Sequence, residues 1–249
     1  MQKNVTFYRN KRIVITGAAS GIGAEITHLL MQYGANCIAV DIDENGLKAL
    51  KQTYQEAIET CLLDLSDIQS RNTFMEELIK NSPVDVFFAN AGFAGHGPFG
   101  EMNPAQFRKM NEVNLMAPVE GFQFLYARNR GPFHYVITAS AMSFVGMPNY
   151  AAYSAQKAAL HAFSDTFRFE KQDKAKLSMV YPVSTKTAFF TGQRVPWPAQ
   201  TPTQVAKAVL RAVRKGKREI FPSTIFFSMN ALYFLHRALF YPYRLFYRT

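Results

Sequence analysis

Tyr153 and Lys157, in the segment "YSAQK", have the chemistry of a proton-transfer pair. They are four residues apart, which places them on one face if the segment is helical. A free phenol has a pKa of about 10 and is a poor base near neutrality. A neighbouring ammonium group favours the phenolate and lowers that pKa. The pair is therefore a candidate general acid and base, provided that the surrounding sequence builds a site around it.

The segment "TGAASGIG", residues 16–23, follows a short β-branched run and precedes apolar residues at helical spacing. Its glycines allow a sharp turn and a close approach of the backbone to a diphosphate, which then meets the positive end of the next helix. Because the turn lies between a strand and a helix, we predict dinucleotide binding rather than a purely structural turn. The residues assigned to the cofactor here are Gly17, Ser20, Gly21, Ile22 and Gly23.

Acidic residues end the next two predicted strands. Asp41 can accept hydrogen bonds from both hydroxyls of an adenosine ribose and would repel a 2′-phosphate. Residues 18–20 and Ile42 supply no cation that could hold such a phosphate, so NAD is favoured over NADP. Asp64 and Leu65 are assigned beside the adenine ring, and a helix-capping role for Asp64 is the open alternative.

Seven short apolar segments have the composition of β-strands, and segments with helical apolar spacing separate them. This alternation predicts right-handed crossovers and a parallel sheet covered by helices on both faces. The predicted fold is α/β, a Rossmann-type doubly wound parallel sheet of about seven strands. Residues 1–222 are predicted to form one NAD-binding and catalytic domain, and residues 223–249 a C-terminal extension. The predicted strands are 12–16, 36–43, 57–65, 84–92, 133–140, 176–182 and 218–222, and the predicted helices are 22–33, 71–80, 104–128, 150–171 and 203–215.

Together these motifs resemble the short-chain dehydrogenase/reductase family. The glycine turn is similar to the family's TGxxxGxG pattern, and "ANAG", residues 89–92, is similar to its NAG motif after the fourth strand. The Tyr–Lys spacing resembles the carbonyl reductase and alcohol dehydrogenase branch of the family. The resemblance covers roughly residues 10–222. It implies an active site made of Asn114, Ser140, Tyr153 and Lys157.

The resemblance also implies a role for each of these side chains. Ser140 would hold the substrate oxygen against Tyr153, and Lys157 would donate to the nicotinamide ribose. Asn114 would hold a helix kink and a water that connects the lysine to solvent. The further cofactor contacts that it implies are Asn90, Ala91, Gly92, Tyr153, Lys157, Pro182 and Thr187. Val183 stands where relatives often carry glycine, so the shape of the loop over the nicotinamide is left open.

The predicted function is NAD-dependent interconversion of a secondary alcohol and a ketone on a lipophilic molecule, such as a hydroxysteroid, a long-chain acyl compound or a sphingoid-like compound. Apolar residues after the strand ends suggest the lipophilic substrate. A 3-oxoacyl-thioester reductase is one alternative, and a dinucleotide-binding sensor or scaffold without catalysis is another. The candidate pocket residues are Phe93, Met142, Phe144, Met147, Phe189, Phe190 and Trp197.

The net charge of +10 is concentrated at the C-terminal end, where residues 204–249 hold nine basic residues against one acidic residue, Glu219. The extension itself is dense in Phe, Tyr and Leu with arginines interleaved, a composition typical of an interfacial segment. Polar residues interrupt its apolar run, so a spanning helix of about 20 residues is not predicted. Contact with a membrane surface and packing in a homodimer or homotetramer both remain open. Nucleic-acid binding is not predicted, because the extension is apolar rather than polar and basic.

The two cysteines, Cys37 and Cys61, lie in predicted strands without the spacing of a disulfide framework or a metal site. We expect both thiols to be reduced, buried and structural, and we predict no metal site. The first 17 residues lack an uninterrupted apolar segment between a basic start and a cleavage site, so no secretory signal is predicted. The expected location is cytoplasmic, with peripheral contact at the inner membrane surface as the option that the extension allows.

Overall fold

A seven-stranded parallel sheet runs through the protein, as predicted. The computed structural model describes residues 2–80, 82–170, 174–186 and 199–229. The strands are β1 (Arg12–Thr16), β2 (Asn36–Asp41), β3 (Ile58–Leu62), β4 (Val86–Ala89), β5 (Phe133–Thr138), β6 (Ala175–Val180) and β7 (Glu219–Ile220). Their order in the sheet is β3-β2-β1-β4-β5-β6-β7, and every pair is parallel. The Rossmann-type doubly wound fold predicted from the alternation of strands and helices is confirmed.

Helices cover both faces of this sheet. In the described residues they are α1 (Gln2–Tyr8), α2 (Gly21–Gln32), α3 (Glu44–Tyr54), α4 (Ile68–Lys80), α5 (Pro104–Asn111), α6 (Ala117–Arg128), α7 (Ala151–Phe167), α8 (Pro202–Arg214) and α9 (Thr224–Met229). The side chains of β1 alternate between two cores: Ile13 and Ile15 pack with α1, α2 and α8, whereas Val14 packs with α4, α6 and α7. Burial on both faces explains why the strands are continuous β-branched and apolar runs.

Two helices, α1 and α3, were not predicted. Only Leu47 and Leu50 of α3 are buried, so its apolar pattern is weak. The helix begins because the Asp43 carboxylate accepts hydrogen bonds from the N–H groups of Asn45 and Gly46. Helix α1 is held by α8, a contact between distant parts of the chain: the Tyr8 hydroxyl donates to the carbonyl oxygen of Leu210 (2.8 Å). Local spacing does not reveal such a partner.

The predicted helix over residues 104–128 is wrong as a single element. A π-helical segment, Glu112–Met116, separates α5 from α6, and the N–H of Ala117 donates to the carbonyl of Glu112. Pro118 has no N–H to direct to the carbonyl of Asn114, as a regular α-helix would require. The interruption lies at the residue where the family resemblance implied a kink.

The third and second strands are shorter than predicted, and the two cysteines differ in burial. β3 is the edge strand of the sheet, and of its five residues only Ile58 is buried. Cys61 on β3 is therefore only half-buried, which corrects the expectation of two buried thiols, whereas Cys37 on the inner strand β2 is buried. Burial raises the pKa of the Cys37 thiol to about 12, so this thiol is a structural group.

The first residues of the extension pack on the body of the protein. Phe226 of α9 is 9% exposed and lies among Phe221 and Phe144, whereas its neighbours Ile225 and Phe227 are 47% and 51% exposed. Residues 230–249 lie outside the described residues. Of the helices in the described ranges, none is both long and apolar enough to cross a bilayer.

Candidate active site

The carboxyl ends of the central strands meet at one edge of the sheet, and the predicted site residues lie there. β1 ends at Thr16, β4 at Ala89 and β5 at Thr138. In an open α/β sheet, ligands bind outside these ends, at the point where the strand order reverses. That point lies between β1 and β4, which are neighbours in the sheet.

The glycine turn between β1 and α2 approaches its neighbours too closely for side chains. Gly17 and Gly21 have φ angles of +66° and +54°, which glycine adopts without strain. A Cβ atom on Gly23 would stand 1.9 Å from the carbonyl oxygen of Gly17. Ser20 precedes α2 without a side-chain capping bond, and the first amides of a helix, here from Gly21 and Ile22, have no partner within it. This cradle of backbone amides fits the diphosphate of a dinucleotide.

Asp41 ends β2 beside the glycine turn. Its Oδ2 accepts a hydrogen bond from the N–H of Ala19 (2.8 Å), and its Oδ1 accepts from the N–H of Asp43 (3.0 Å). Each carboxylate oxygen keeps a further acceptor position. Asp41 therefore fixes the turn to β2 and still has acceptor capacity for ribose hydroxyls. Ile42, the next residue, is 58% exposed and offers an apolar surface at the same edge.

Asp64, after β3, has a partner that the sequence did not suggest. Its Oδ2 accepts from Nζ of Lys109 (2.9 Å), and its Oδ1 accepts from the N–H and the hydroxyl of Ser66. Partial burial raises the pKa of Asp64, but these hydrogen bonds outweigh burial and lower it. The cap of α4 is Asp67, which accepts from the first N–H groups of that helix. The capping alternative for Asp64 is therefore wrong, and this carboxylate links the end of β3 to α5.

The loop that follows β4 packs against the glycine turn. The N–H groups of Asn90 and Ala91 both donate to Oγ1 of Thr16 (3.1 Å each). Oδ1 of Asn90 accepts from Oγ1 of Thr138 (3.1 Å), at the end of β5. Leu65 and Ala91 line one cavity of about 20 Å³. The cofactor residues predicted from β1, β3 and β4 are thus brought together.

Ser140, Tyr153 and Lys157 meet beyond the end of β5. Nζ of Lys157 lies 5.5 Å from the centre of the Tyr153 ring and donates to the carbonyl oxygen of Thr138 (2.9 Å). The side chain of Ser140 is hydrogen-bonded to that of Tyr153 and accepts from the N–H of Met142 (3.1 Å). All three residues are at most 9% exposed, so packing fixes the geometry of their side chains.

Burial dominates the electrostatics of this group. Desolvation raises the pKa of Tyr153 above its ordinary value, the hydrogen bond with Ser140 opposes this shift, and Tyr150 adds to it. Desolvation lowers the pKa of Lys157 to about 8, so the lysine stays protonated at neutral pH. Contrary to the expectation from their spacing, burial outweighs any lowering of the phenol's pKa by the lysine.

Asn114 lies at the centre of the π-helical segment and is fully buried. Its Oδ1 accepts from the N–H of Phe93 (3.0 Å), and its Nδ2 donates to the carbonyl oxygen of Phe93 (2.7 Å) and to Oε1 of Gln156 (2.8 Å). A Cβ atom on Gly92 would stand 2.9 Å from Oδ1 of Asn114 and 3.6 Å from Nζ of Lys157. The side chains of Asn114 and Lys157 therefore both lie beside the loop at Gly92.

The loop after β6 is only partly described. The carbonyl oxygen of Pro182 accepts from the N–H of Ala141 (2.9 Å), which ties this loop to the segment after Ser140. Among the described non-glycine residues, positive φ angles occur only at Asn10, Gln55 and Asn149. Val183 thus keeps an ordinary backbone conformation, and no glycine is required there. Thr187 lies outside the described residues.

An apolar wall lies beside Tyr153. Phe93 and Met142 pack against a buried cluster that contains Met110, Tyr150 and Tyr153. Of the other pocket candidates, Phe144 packs with the rings of His161 on α7 and Tyr181 just after β6, and Met147 is 38% exposed. Phe189, Phe190 and Trp197 lie outside the described residues.

Sequence reasoning missed four residues of this site: Thr16, Thr138, Lys109 and Gln156. Thr16 is the first residue of the glycine motif and Gln156 lies inside "YSAQK". Both belong to motifs that the sequence analysis used, but no role was predicted for either. Lys109 and Asp64 are far apart in the chain, and nothing local signals their ion pair. Within the described part of the chain, no three His, Cys, Asp or Glu side chains are grouped as metal ligands would be.

Comparison with known proteins agrees with this geometry. A family model described as short chain dehydrogenase matches residues 11–196. The chain is 30% identical to dehydrogenase/reductase SDR family member 7B of Xenopus tropicalis (84% of this chain, 75% of that protein). It is 29% identical to 3beta-hydroxysteroid dehydrogenase 2 of Eggerthella lenta (74% of each chain) and 28% identical to 3-dehydrosphinganine reductase of Danio rerio (82% and 68%).

A solved structure has the same fold. The short-chain dehydrogenase from Sphingobium yanoikuyae in complex with NADPH has a TM-score of 0.82 and 22% identity, over 92% of this chain and 94% of that chain. At this identity the likeness concerns the fold.

Proposed function

This chain belongs to the short-chain dehydrogenase/reductase family, and on that premise we propose that it is an NAD-dependent oxidoreductase interconverting a secondary alcohol and a ketone on a lipophilic substrate. The observation that carries the proposal is the buried hydrogen bond between Ser140 and Tyr153, with Lys157 one helical turn further along α7. The glycine turn lies at the same edge of the sheet, so a dinucleotide bound there can reach this group.

The proposed chemistry assigns one task to each side chain. When bound, the nicotinamide accepts or donates the hydride, and its oxidised form brings a positive charge near the phenol. In alcohol oxidation Tyr153 takes the hydroxyl proton, and in ketone reduction it returns that proton. Ser140 holds the substrate oxygen against the phenol. The Lys157 ammonium, held by the carbonyl of Thr138, favours the phenolate.

The assignment of NAD rests on charge. Asp41 is an acceptor at the end of β2, and the turn residues beside it carry no cation for a 2′-phosphate. Asp41→Asn keeps the shape of the side chain and removes the charge. We expect the ratio of the Kd values for NADP and NAD to fall about tenfold or more, since a charge pair near the surface is worth about 1–4 kcal/mol.

Asp43→Asn is the matched control for this measurement, because Asp43 lies in the same loop and caps α3. Its cofactor selectivity should stay that of the wild type. If both variants change the ratio equally, or if Asp41→Asn leaves it unchanged, Asp41 does not read the ribose. Titrations of NAD and NADP followed by fluorescence make the comparison.

The substrate class is proposed from the apolar wall of Phe93 and Met142 beside Tyr153, and from the relatives named for hydroxysteroid and dehydrosphinganine chemistry. A panel tests it: a 3β-hydroxysteroid, a sphinganine, a 3-hydroxyacyl thioester and a short secondary alcohol, each with NAD and followed by NADH absorbance. Fastest turnover of the steroid or the sphinganine supports the proposal. Preference for the thioester identifies a 3-oxoacyl-thioester reductase, and NAD binding without turnover of any compound indicates a sensor or scaffold.

For the extension, residues 223–249, the partner proposed is an anionic membrane surface, with packing in a homodimer or homotetramer as the alternative. The exposed Ile225 and Phe227 and the sequence beyond them, aromatic with three arginines and no acidic residue, support an interfacial segment. Peripheral attachment on the cytoplasmic side fits the free thiols, because a reducing compartment leaves cysteines unpaired.

Charge reversal tests the membrane contact. The full chain with Arg237→Glu, Arg244→Glu and Arg248→Glu should lose co-sedimentation with vesicles that contain phosphatidylglycerol. A variant with Lys207→Glu and Arg211→Glu on α8 and Lys215→Glu at its C-cap changes the same number of charges outside the extension and should still bind. Equal loss in both variants would indicate a general charge effect, and loss of the oligomer in the first would favour the subunit interface.

A further inference from the structure

Gln156 lies directly before Lys157 on α7 and has no task in the chemistry described so far. It is 2% exposed, and its Oε1 accepts a hydrogen bond from Nδ2 of Asn114 (2.8 Å). A long polar side chain is seldom buried so completely unless it is paired. Its surroundings therefore indicate what it does.

The hydrogen bonds fix the orientation of both side-chain amides. Asn114 faces the backbone of Phe93, where an N–H must meet Oδ1 and a carbonyl oxygen must meet Nδ2. The second hydrogen of Nδ2 then points to Gln156, which can receive it only through Oε1. Exchanging the O and N atoms of either amide would place two donors or two acceptors against each other. The arrangement has one solution.

That solution leaves one donor without a partner. Nε2 of Gln156 is buried, and no described group accepts its hydrogens. An unsatisfied buried donor destabilises the folded state, so this glutamine does not serve stability alone. Departures of this kind concentrate at functional sites.

The clasp formed by Gln156, Asn114 and Phe93 lies next to the catalytic lysine. Oδ1 of Asn114 and Nζ of Lys157 both lie next to the loop at Gly92, 2.9 Å and 3.6 Å from the position that a Cβ atom on Gly92 would take. Gln156 and Lys157 are consecutive residues of one helix, so that helix sets the position of the lysine and of the group that holds the Asn114 amide. A shift of the Asn114 amide would move the loop relative to the lysine.

We propose that Gln156 is a positioning residue, which holds the Asn114 amide and through it the loop at Gly92 and Phe93 at the distance from Lys157 that proton transfer by Tyr153 needs. The catalytic half of this inference rests on the proposed function. The clasp itself does not, because it can be measured without turnover.

The first test is hydrogen exchange of a peptide that contains the Phe93 amide, which donates to Asn114. Gln156→Met removes the acceptor at similar size, and exchange at Phe93 should accelerate about tenfold or more, as expected for a lost bond of about 1–2 kcal/mol. Gln156→Glu keeps an acceptor oxygen and should exchange like the wild type. Ser154→Ala is the matched control, because Ser154 on the same helix also has a buried hydroxyl without a partner.

The second test is the split between kcat and KM. With the best substrate of the panel, Gln156→Met should lower kcat about 10–100-fold and leave the KM of the alcohol and the Kd of NAD near their wild-type values, since Gln156 touches neither. Gln156→Glu should recover most of kcat, and Ser154→Ala should keep it. If Gln156→Met does not fold, Gln156→Leu replaces it.

The exchange and kinetic measurements together decide whether the clasp exists and whether Gln156 positions the loop. Unchanged exchange at Phe93 in Gln156→Met overturns the clasp, and faster exchange with wild-type kcat overturns the positioning role. A loss of kcat that Ser154→Ala shares would also overturn it, because repacking of α7 would then be the cause. If the wild type binds NAD but turns over no panel compound, the proposed function fails, and exchange at Phe93 still decides on the clasp.

Discussion

The cofactor side and the catalytic side of the sheet edge are built in opposite ways. The cofactor side is built mainly from backbone: Gly17 and Gly23 leave room for backbone contacts, and the carboxylate oxygens of Asp41 are paired with backbone amides. The catalytic side consists of side chains buried against their preference, since burial shifts the pKa values of Tyr153 and Lys157. The cofactor side must preserve its backbone shape, whereas the catalytic side holds buried polar groups that lower the stability of the fold. Substitutions on the two sides should therefore affect different properties of the protein.

The largest expected effect is on the catalytic side. Tyr153→Phe removes the proton donor and acceptor, and kcat should fall about 10³-fold, within the range of about 10²–10⁴ for general acid–base catalysis. The Kd of NAD and the unfolding temperature should change little, because the ring remains. Tyr33→Phe, another buried tyrosine but in the core on the α1, α2 and α8 face, serves as the control for steady-state kinetics. A near-normal rate in Tyr153→Phe would contradict the mechanism.

On the cofactor side we expect binding and stability to fail together. Gly23→Ala places a methyl group against the carbonyl of Gly17, and the free energy of unfolding should fall by about 1–3 kcal/mol with loss of NAD binding. Gly100→Ala is the control, since a Cβ atom there meets nothing within 4 Å. Denaturant titration and NAD binding measure both effects. Wild-type affinity in Gly23→Ala would mean that the turn does not hold the cofactor.

The effect that depends on pH concerns Lys157, where activity and stability should move in opposite directions. Lys157→Met removes the group that favours the phenolate and also removes a buried charge. Because burial lowers the pKa of Lys157 to about 8 from 10.5, the unfolded chain binds more protons between these values, and wild-type stability should rise with pH across this window. The stability advantage of Lys157→Met should be full below pH 8 and shrink by about 3 kcal/mol or less towards pH 10.5. Lys176 is an exposed lysine on β6, so the stability difference between Lys176→Met and the wild type should not depend on pH in denaturant titrations. If Lys157 is solvated in the wild type, the stability difference for Lys157→Met should not depend on pH either.

The sequence predicts the cofactor side well, because its signals are local. β1, the glycine turn and α2 follow one another within residues 12–32, so spacing and composition suffice to place them. The strands were recognised because both of their faces are buried, which makes their residues continuously apolar. Helix α3 was not predicted because its two leucines are its only buried residues.

The catalytic side is harder to read, because its contacts join distant segments. The Gln156–Asn114 bond joins two elements that are distant in the chain, and the sequence around either residue does not indicate its partner. On the cofactor side, the Asp64–Lys109 pair has the same property. The π-helical segment at 112–116 shows the same limit, since apolar spacing continues through it. Only Pro118 hints at the break, through the hydrogen bond that it cannot donate. Local motifs were enough to predict which residues form the site, whereas the contacts that hold these residues in place join distant segments and could not be predicted.

The packing of α1 and α8 on the first face of the sheet has a consequence for synthesis of the chain. Tyr8 and Asn4 are hydrogen-bonded to Leu210 and Arg214, so the face beside β1, which α1, α2 and α8 cover together, stays only partly covered until α8 has left the ribosome. Segments emerge at about 5–20 residues per second, and long-range closure is slow. The glycine turn is thus translated early, but the packing that makes it rigid forms late. We therefore expect the nascent chain to bind the cofactor only when its final third is complete.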